Sequence, residues 1–147
     1  MPTYDKLPNY EKVFLNTYQE LKSPRSYKEL TTDAKTYYCN GCGRAGLENV
    51  FVPDSLWLLD VSEACNIHDY EYSLQKNKST QRKYEIDLRF LGNMFYIIKS
   101  RTKFKKHSKF RNWLIKRRRN AAIFYYDMVV LYGADAFWRG KDRVINE

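Results

Sequence analysis

The chain lacks a long uninterrupted apolar run. Its most hydrophobic stretch, AAIFYYDMVVLYGADAFW at residues 121–138, carries Asp127, Gly133 and Asp135 inside it. A bilayer crossing needs about 20 consecutive apolar residues, so a buried helix is expected there and no membrane span. The opening MPTYDKLPNYEKVF places no apolar run behind a basic start, and no secretory signal peptide is expected from it. Cysteine is scarce. Cys39, Cys42 and Cys65 are too few for the disulfide framework of a small secreted scaffold, and an odd number leaves at least one thiol over unless a metal or another chain takes it. Internal repeats are absent, as are low-complexity tracts apart from one basic segment. Acids are outnumbered, 17 against 26 Lys and Arg, giving a formal charge of +9. A charge of that size draws a protein toward polyanions, either nucleic acid or anionic lipid.

What is present suits one domain. The 147 residues are 44% apolar and 16% aromatic, enough for a single core and outside the composition of disordered chains. Residues 1–36 are polar, broken by Pro2, Pro8 and Pro24, with one amphipathic stretch near Tyr10 to Leu21; an arm or short helix is expected. From Tyr37 the texture changes. CNGCGRAG, residues 39–46, puts three glycines and two cysteines in eight positions, a composition that lets backbone approach a ligand closely.

Two helices should come next. In residues 61–76, free of Pro and Gly, Val61, Cys65, His68 and Tyr72 recur at the spacing of one helix face. Residues 80–99 carry a second stripe through Tyr84, Leu88, Leu91, Met94, Phe95 and Ile98, interrupted by Asp87, with Ser79 as the N-cap. Residues 99–119 then hold eleven Lys and Arg and no acid, a block not expected in a core. His107, inside it, is expected as a solvated residue, and Tyr126 and Asp127 as packing and solvent contacts.

The chemistry concentrates in ACNIHDYEYS, residues 64–73. His68 and Asp69 project about 100° apart on a helix, so they suit two different tasks. Tyr72 lies one turn after His68 on the same face. Asp87, across a short antiparallel hairpin, is placed to accept the second imidazole proton. A histidine held that way has a fixed tautomer and leaves its other nitrogen to act as a general base. Asp69 is then available to a hard cation, which takes six to eight oxygen ligands from carboxylates and backbone carbonyls. A plainer role for Asp87 is an ion pair with Arg82, Lys83 or Arg89.

These residues resemble the phospholipase A2 fold family, whose signature joins a calcium loop X-C-G-X-G to a helix bearing C-C-X-X-H-D-X-C-Y. The corresponding runs are Gly41-Cys42-Gly43-Arg44-Ala45-Gly46 and Ala64-Cys65-Asn66-Ile67-His68-Asp69-Tyr70-Glu71-Tyr72. Ala45 stands for a loop glycine, Ala64 and Glu71 for cysteines, and Ser62 for an aspartate. The resemblance, over residues 37–98, implies a mainly helical phospholipase A2-like core with a Gly-rich calcium loop and two antiparallel helices, and residues 99–147 add a basic helical extension to the same domain. It implies calcium-dependent hydrolysis of a phospholipid sn-2 ester. His68 would be the base, Asp87 its orienting carboxylate and Tyr72 the hydrogen-bond support. Asp69 would bind Ca2+ with the carbonyls of Gly41, Gly43 and Ala45. Cys42 and Cys65 would form a disulfide and leave Cys39 as a thiol. The short link between His68 and Asp87 is similar to compact viral, phage and microbial members. With neither signal peptide nor membrane span expected, synthesis in the cytoplasm is expected, with action at membranes or after delivery, in a virion or as an effector.

Other classes use the same residues. Cys39-X2-Cys42 with Cys65-X2-His68 makes a Cys3His set suited to tetrahedral zinc, with the basic block 99–119 contacting nucleic-acid phosphates. A relative of the hydrolase fold without catalysis would serve as a membrane or receptor binder. Phe104, Phe110, Trp113 and Leu114, interleaved with the cations, suit the headgroup boundary of an anionic phospholipid membrane.

Overall fold

The structure, a computed structural model, describes residues 7–39, 55–74, 78–105 and 108–139. Gly41, Cys42, Gly43, Ala45 and His107 lie outside the described residues. The fold is mainly helical, as the sequence predicts. Three short helices come first: α1 (Tyr10–Leu15), α2 (Arg25–Lys28) and α3 (Thr32–Tyr38). A two-stranded antiparallel hairpin is next, β1 (Ser55–Leu56) with β2 (Leu59–Asp60). Then come α4 (Ser62–Leu74), α5 (Thr80–Arg101), α6 (Lys109–Tyr132) and α7 (Ala134–Arg139).

Local chemistry fixes the helix starts. Ser79 caps α5 by accepting from the Arg82 N–H at 3.0 Å, and Ser108 caps α6 by accepting from the Arg111 N–H at 3.1 Å. Each such cap stabilises a helix by about 1 kcal/mol. Asp60 receives both the backbone N–H and the hydroxyl of Ser62 at the head of α4, at 2.8 and 2.6 Å. Those two bonds hold its carboxyl below the ordinary carboxylate range.

The core lies where α5 packs against α4 on one side and α6 on the other. Ile86, Leu91, Met94, Phe95, Ile97 and Ile98 of α5 are fully buried, with Ala122 and Tyr126 of α6 against them. Helix α4 is buried around its whole circumference, from Ala64 through Ser73 apart from Asn66. That departs from the single buried face expected of residues 61–76. A second cluster explains it: Tyr27, Ile67 and Tyr70 pack on the side of α4 turned away from α5.

Residues 7–36 are consequently no loose arm. The amphipathic stretch is helical only over Tyr10–Leu15, and the chain beyond that helix is pinned to α5. Asn93, fully buried, accepts from the Lys22 N–H at 2.7 Å and donates to the Lys22 carbonyl at 2.9 Å. Next to it Gly92 lets the Tyr18 ring approach so closely that a Cβ there would lie 2.4 Å from a ring carbon. Tyr27 donates to Glu63 at 2.6 Å and Tyr70 to Ser26 at 2.8 Å, tying α2 to α4.

Two expectations about the C-terminal third are corrected. Helix α6 carries the second half of the basic block, from Lys109, and the apolar stretch without a break, and it ends at Gly133, inside the expected helix 121–138; the first residues of the block, to Arg101, end α5. An α-helix is continued by backbone hydrogen bonds that ignore the change from charged to apolar side chains. The block is also not wholly solvated. Arg118 is buried, with Nη1 donating to Thr102 Oγ1 at 3.0 Å and Nη2 to the Trp57 carbonyl at 2.9 Å. No helix among the described residues is long and apolar enough to cross a membrane.

Candidate functional site

The site is built from side chains that α4, α5 and α6 bring to one point in the core. His68 and Tyr72 stand one turn apart on α4, with their rings 4.1 Å apart between centroids. Phe90 of α5 closes the other side of the imidazole at 4.7 Å. Asp87, fully buried, is the acceptor for both residues. His68 Nε2–H donates to Oδ1 at 2.8 Å, and the Tyr72 hydroxyl donates to the same oxygen at 2.5 Å. The expected meeting of His68, Tyr72 and Asp87 is therefore present.

The second carboxylate oxygen has a partner of its own. Lys83, one turn before Asp87 on α5 and only 1% exposed, donates from Nζ to Oδ2 at 2.6 Å and to the Val129 carbonyl of α6 at 3.2 Å. Two alternative roles for Asp87, partner of a histidine and partner of a lysine, are thus filled at once. Arg82 and Arg89 go elsewhere, Arg82 to Glu85 at 3.2 Å and Arg89 to the buried Glu71.

Burial works to raise the Asp87 pKa. The His68 hydrogen bond and charge, followed by the Lys83 cation, outweigh it and hold the carboxyl below its ordinary range. Asp87 is therefore an anion at neutral pH, able to fix the imidazole and to stabilise a proton gained on it. With Nε2–H committed to Asp87, Nδ1 is the nitrogen left to take a proton from water or a hydroxyl.

Glu71 shows the opposite balance on the same helix. Its burial, the largest influence, is only partly offset by Arg89 and Arg82, and its pKa is pushed up to about 7. The sequence pattern does not mark the Glu71–Arg89 pair, and it offers Lys83 to Asp87 only as an alternative to the histidine contact. The signal for Lys83 is its spacing of four from Asp87 on an apolar stripe.

Asp69, also buried, follows His68 and so projects from another side of α4; its backbone carbonyl accepts from Ser73 Oγ at 3.0 Å. The loop carbonyls of Gly41, Gly43 and Ala45 expected to join it lie outside the described residues. Among the described residues no three His, Cys, Asp or Glu side chains gather as a metal centre. Cys65 is disulfide-bonded, which removes its sulfur from the thiolate set that a Cys3His zinc centre requires. Cys39 stands outside any disulfide, its thiol directed to the Asn66 carbonyl at 3.4 Å.

Around this centre α7 acts as a cover. The Phe137 ring lies 5.1 Å from that of Tyr72, and the Lys78 ammonium donates to the Phe137 carbonyl at 2.5 Å. At Gly133, where α6 ends, a Cβ would sit 3.2 Å from the Tyr72 hydroxyl and 2.6 Å from the Val129 carbonyl oxygen. Tyr126 is buried in the core, and Asp127 accepts from the Tyr10 hydroxyl at 2.8 Å, so both serve packing and helix docking. No family model, curated protein or solved structure matches the chain.

Proposed function

We propose that the protein is a calcium-dependent, phospholipase A2-like hydrolase of the sn-2 ester of membrane phospholipids. The observation that carries this reading is the buried His68 Nε2–H to Asp87 contact, at 2.8 Å, on the helix that also bears Asp69. Asp87 fixes the tautomer, so that Nδ1 accepts the proton of an attacking water, and the carboxylate then stabilises the imidazolium. Tyr72 and Lys83 keep Asp87 ionised and oriented. Asp69 with the carbonyls of Gly41, Gly43 and Ala45 would hold Ca2+, and that cation, when bound, polarises the ester carbonyl. The basic segment 99–119 would keep the enzyme at an anionic phospholipid surface. Synthesis in the cytoplasm and action at a membrane or after delivery, as in phage or bacterial systems, accompany this reading.

The test is fatty-acid release from mixed zwitterionic and anionic vesicles, with millimolar calcium and again with a chelator. Release that depends on calcium, is abolished in His68→Ala with unchanged circular dichroism, and is lost in Asp69→Asn is the expected result. Full activity in either variant sinks the proposal. One observation favours a second reading: Lys83 gives Asp87 a buried ion pair, which would keep the same cluster as a structural centre in a catalytically silent membrane binder. That reading predicts vesicle binding with no release under any condition.

A further inference from the structure

The turn between β1 and β2 is made of Trp57 and Leu58, with φ of 46° and 68°, and its flanking pair is Leu56 with Leu59. Two-residue hairpins with both central φ positive favour Asn-Gly, because side chains beyond Cβ strain the left-handed backbone. Here the positions hold a tryptophan and a leucine. Leu58 is 98% exposed and packs on nothing, and Trp57 is half exposed. At Leu58 the strain is met by no packing, the pattern of a site that acts on something outside the fold.

The tip continues into an exposed aromatic row. The Trp57 ring meets Trp113 at 5.7 Å, Trp113 meets Phe110 at 5.8 Å, and Phe110 meets Phe104 at 4.7 Å. Phe104, Phe110 and Trp113 are each about half exposed. Cations border the row: Lys103, Lys105, Lys109 and Lys116 are exposed, and the Arg117 guanidinium lies 5.5 Å from the Trp113 ring centre. Arg118, beneath, joins the Trp57 carbonyl to Thr102 at the end of α5 and holds the tip against the helices.

We infer that this face seats the protein on an anionic lipid bilayer, with Leu58 and Trp57 entering the acyl boundary and the surrounding Lys and Arg resting on headgroup phosphates. Charge decides the occupant. A second copy would bring the same cations face to face about a two-fold axis. A single-stranded nucleic acid would stack on the aromatics, yet the most projecting group is Leu58, which has no ring to stack on and gains most from hydrocarbon.

The test uses calcium-free buffer with chelator, so that no hydrolysis is required and the result is independent of the catalytic proposal. Binding to phosphatidylcholine vesicles with and without phosphatidylglycerol is measured by flotation and by the tryptophan emission maximum. The wild-type chain should float with the anionic vesicles and shift its emission to the blue. Leu58→Gly should weaken that binding about tenfold, and Trp57→Asn combined with Leu58→Gly, a turn suited to this geometry, should weaken it further while the hairpin persists. The thermal midpoint of Leu58→Gly should stay at or above that of wild type, which separates lost docking from lost folding. Wild-type-like binding by both variants overturns the inference. So does tip-dependent dimerisation, or tip-dependent binding of an oligonucleotide without binding to vesicles.

Discussion

The centre between α4 and α5 and the tip beside α6 depart from the usual distribution of side chains in opposite directions. At the centre Lys83, Asp87 and His68 are taken out of water, and each has a partner within 2.8 Å. At the tip Leu58, Trp57 and the aromatic row are left in water and bordered by cations. The first arrangement is costly unless every charge is matched, since a buried ion without its partner is destabilised far more than the pair is stabilised. The second costs solvation along the row and, at Leu58, backbone strain met by no internal contact. A region that holds charge inside is tuned by its own neighbours, whereas one that holds hydrocarbon outside waits for a surface.

The contrast can be broken most strongly at Asp87. Asp87→Ala leaves the Lys83 cation buried without its carboxylate, and urea unfolding should show a loss of about 3–5 kcal/mol. Lys83→Met should cost less, because the carboxylate it strands keeps the hydrogen bonds of His68 and Tyr72.

The next largest effect is at Glu71. Its carboxyl titrates near 4.5 when unfolded and at about 7 when folded, so between those values the folded state binds more protons and stability falls as pH rises. Glu71→Gln should remove about 3 kcal/mol of that dependence, visible as a flatter stability curve from pH 4.5 to 7. A variant curve as steep as that of the wild type would refute the assignment. Asp87 contributes in the other sense: its stabilisation is present above the ordinary carboxylate pKa and is lost as pH falls through its lowered folded value. The smallest effect belongs to the tip. Leu58→Gly should raise unfolding stability by about 0.5–1 kcal/mol, because glycine relieves a left-handed backbone where no side-chain contact is given up.

Much of the centre is legible in sequence because it obeys fixed periods. The spacing of four between His68 and Tyr72, the cap at Ser79 and the interruption of an apolar stripe by Asp87 together imply the contact found. Lys83 obeys the same period, but a lysine on a helix is ordinarily solvated, and only the packing of α6 with its Val129 carbonyl buries it. The tip is illegible for the opposite reason. Trp57-Leu58 carries none of the Gly or Asn signals that mark a tight turn, and the neighbour that holds it, Arg118, is one cation among eleven in residues 99–119. Continuity of α6 is hidden by a compositional boundary to which the backbone is indifferent. The calcium loop readings at Gly41, Gly43 and Ala45 lie outside the described residues.

The clasp of α1 onto the far end of the chain bears on the order of events during synthesis. The Tyr10 hydroxyl donates to Asp127, 117 positions later, at 2.8 Å, and burial together with that bond pushes its pKa up to about 12. Glu11 meets Arg119 at 2.9 Å, and the Phe14 carbonyl accepts from Lys99 at 2.5 Å. A ribosome adding roughly 5–20 residues per second releases α1 on the order of ten seconds before α6 exists to receive it. The first helix made is then among the last to be seated, and pulse-labelled hydrogen exchange should find the α1 amides protected only after those of α5 and α6.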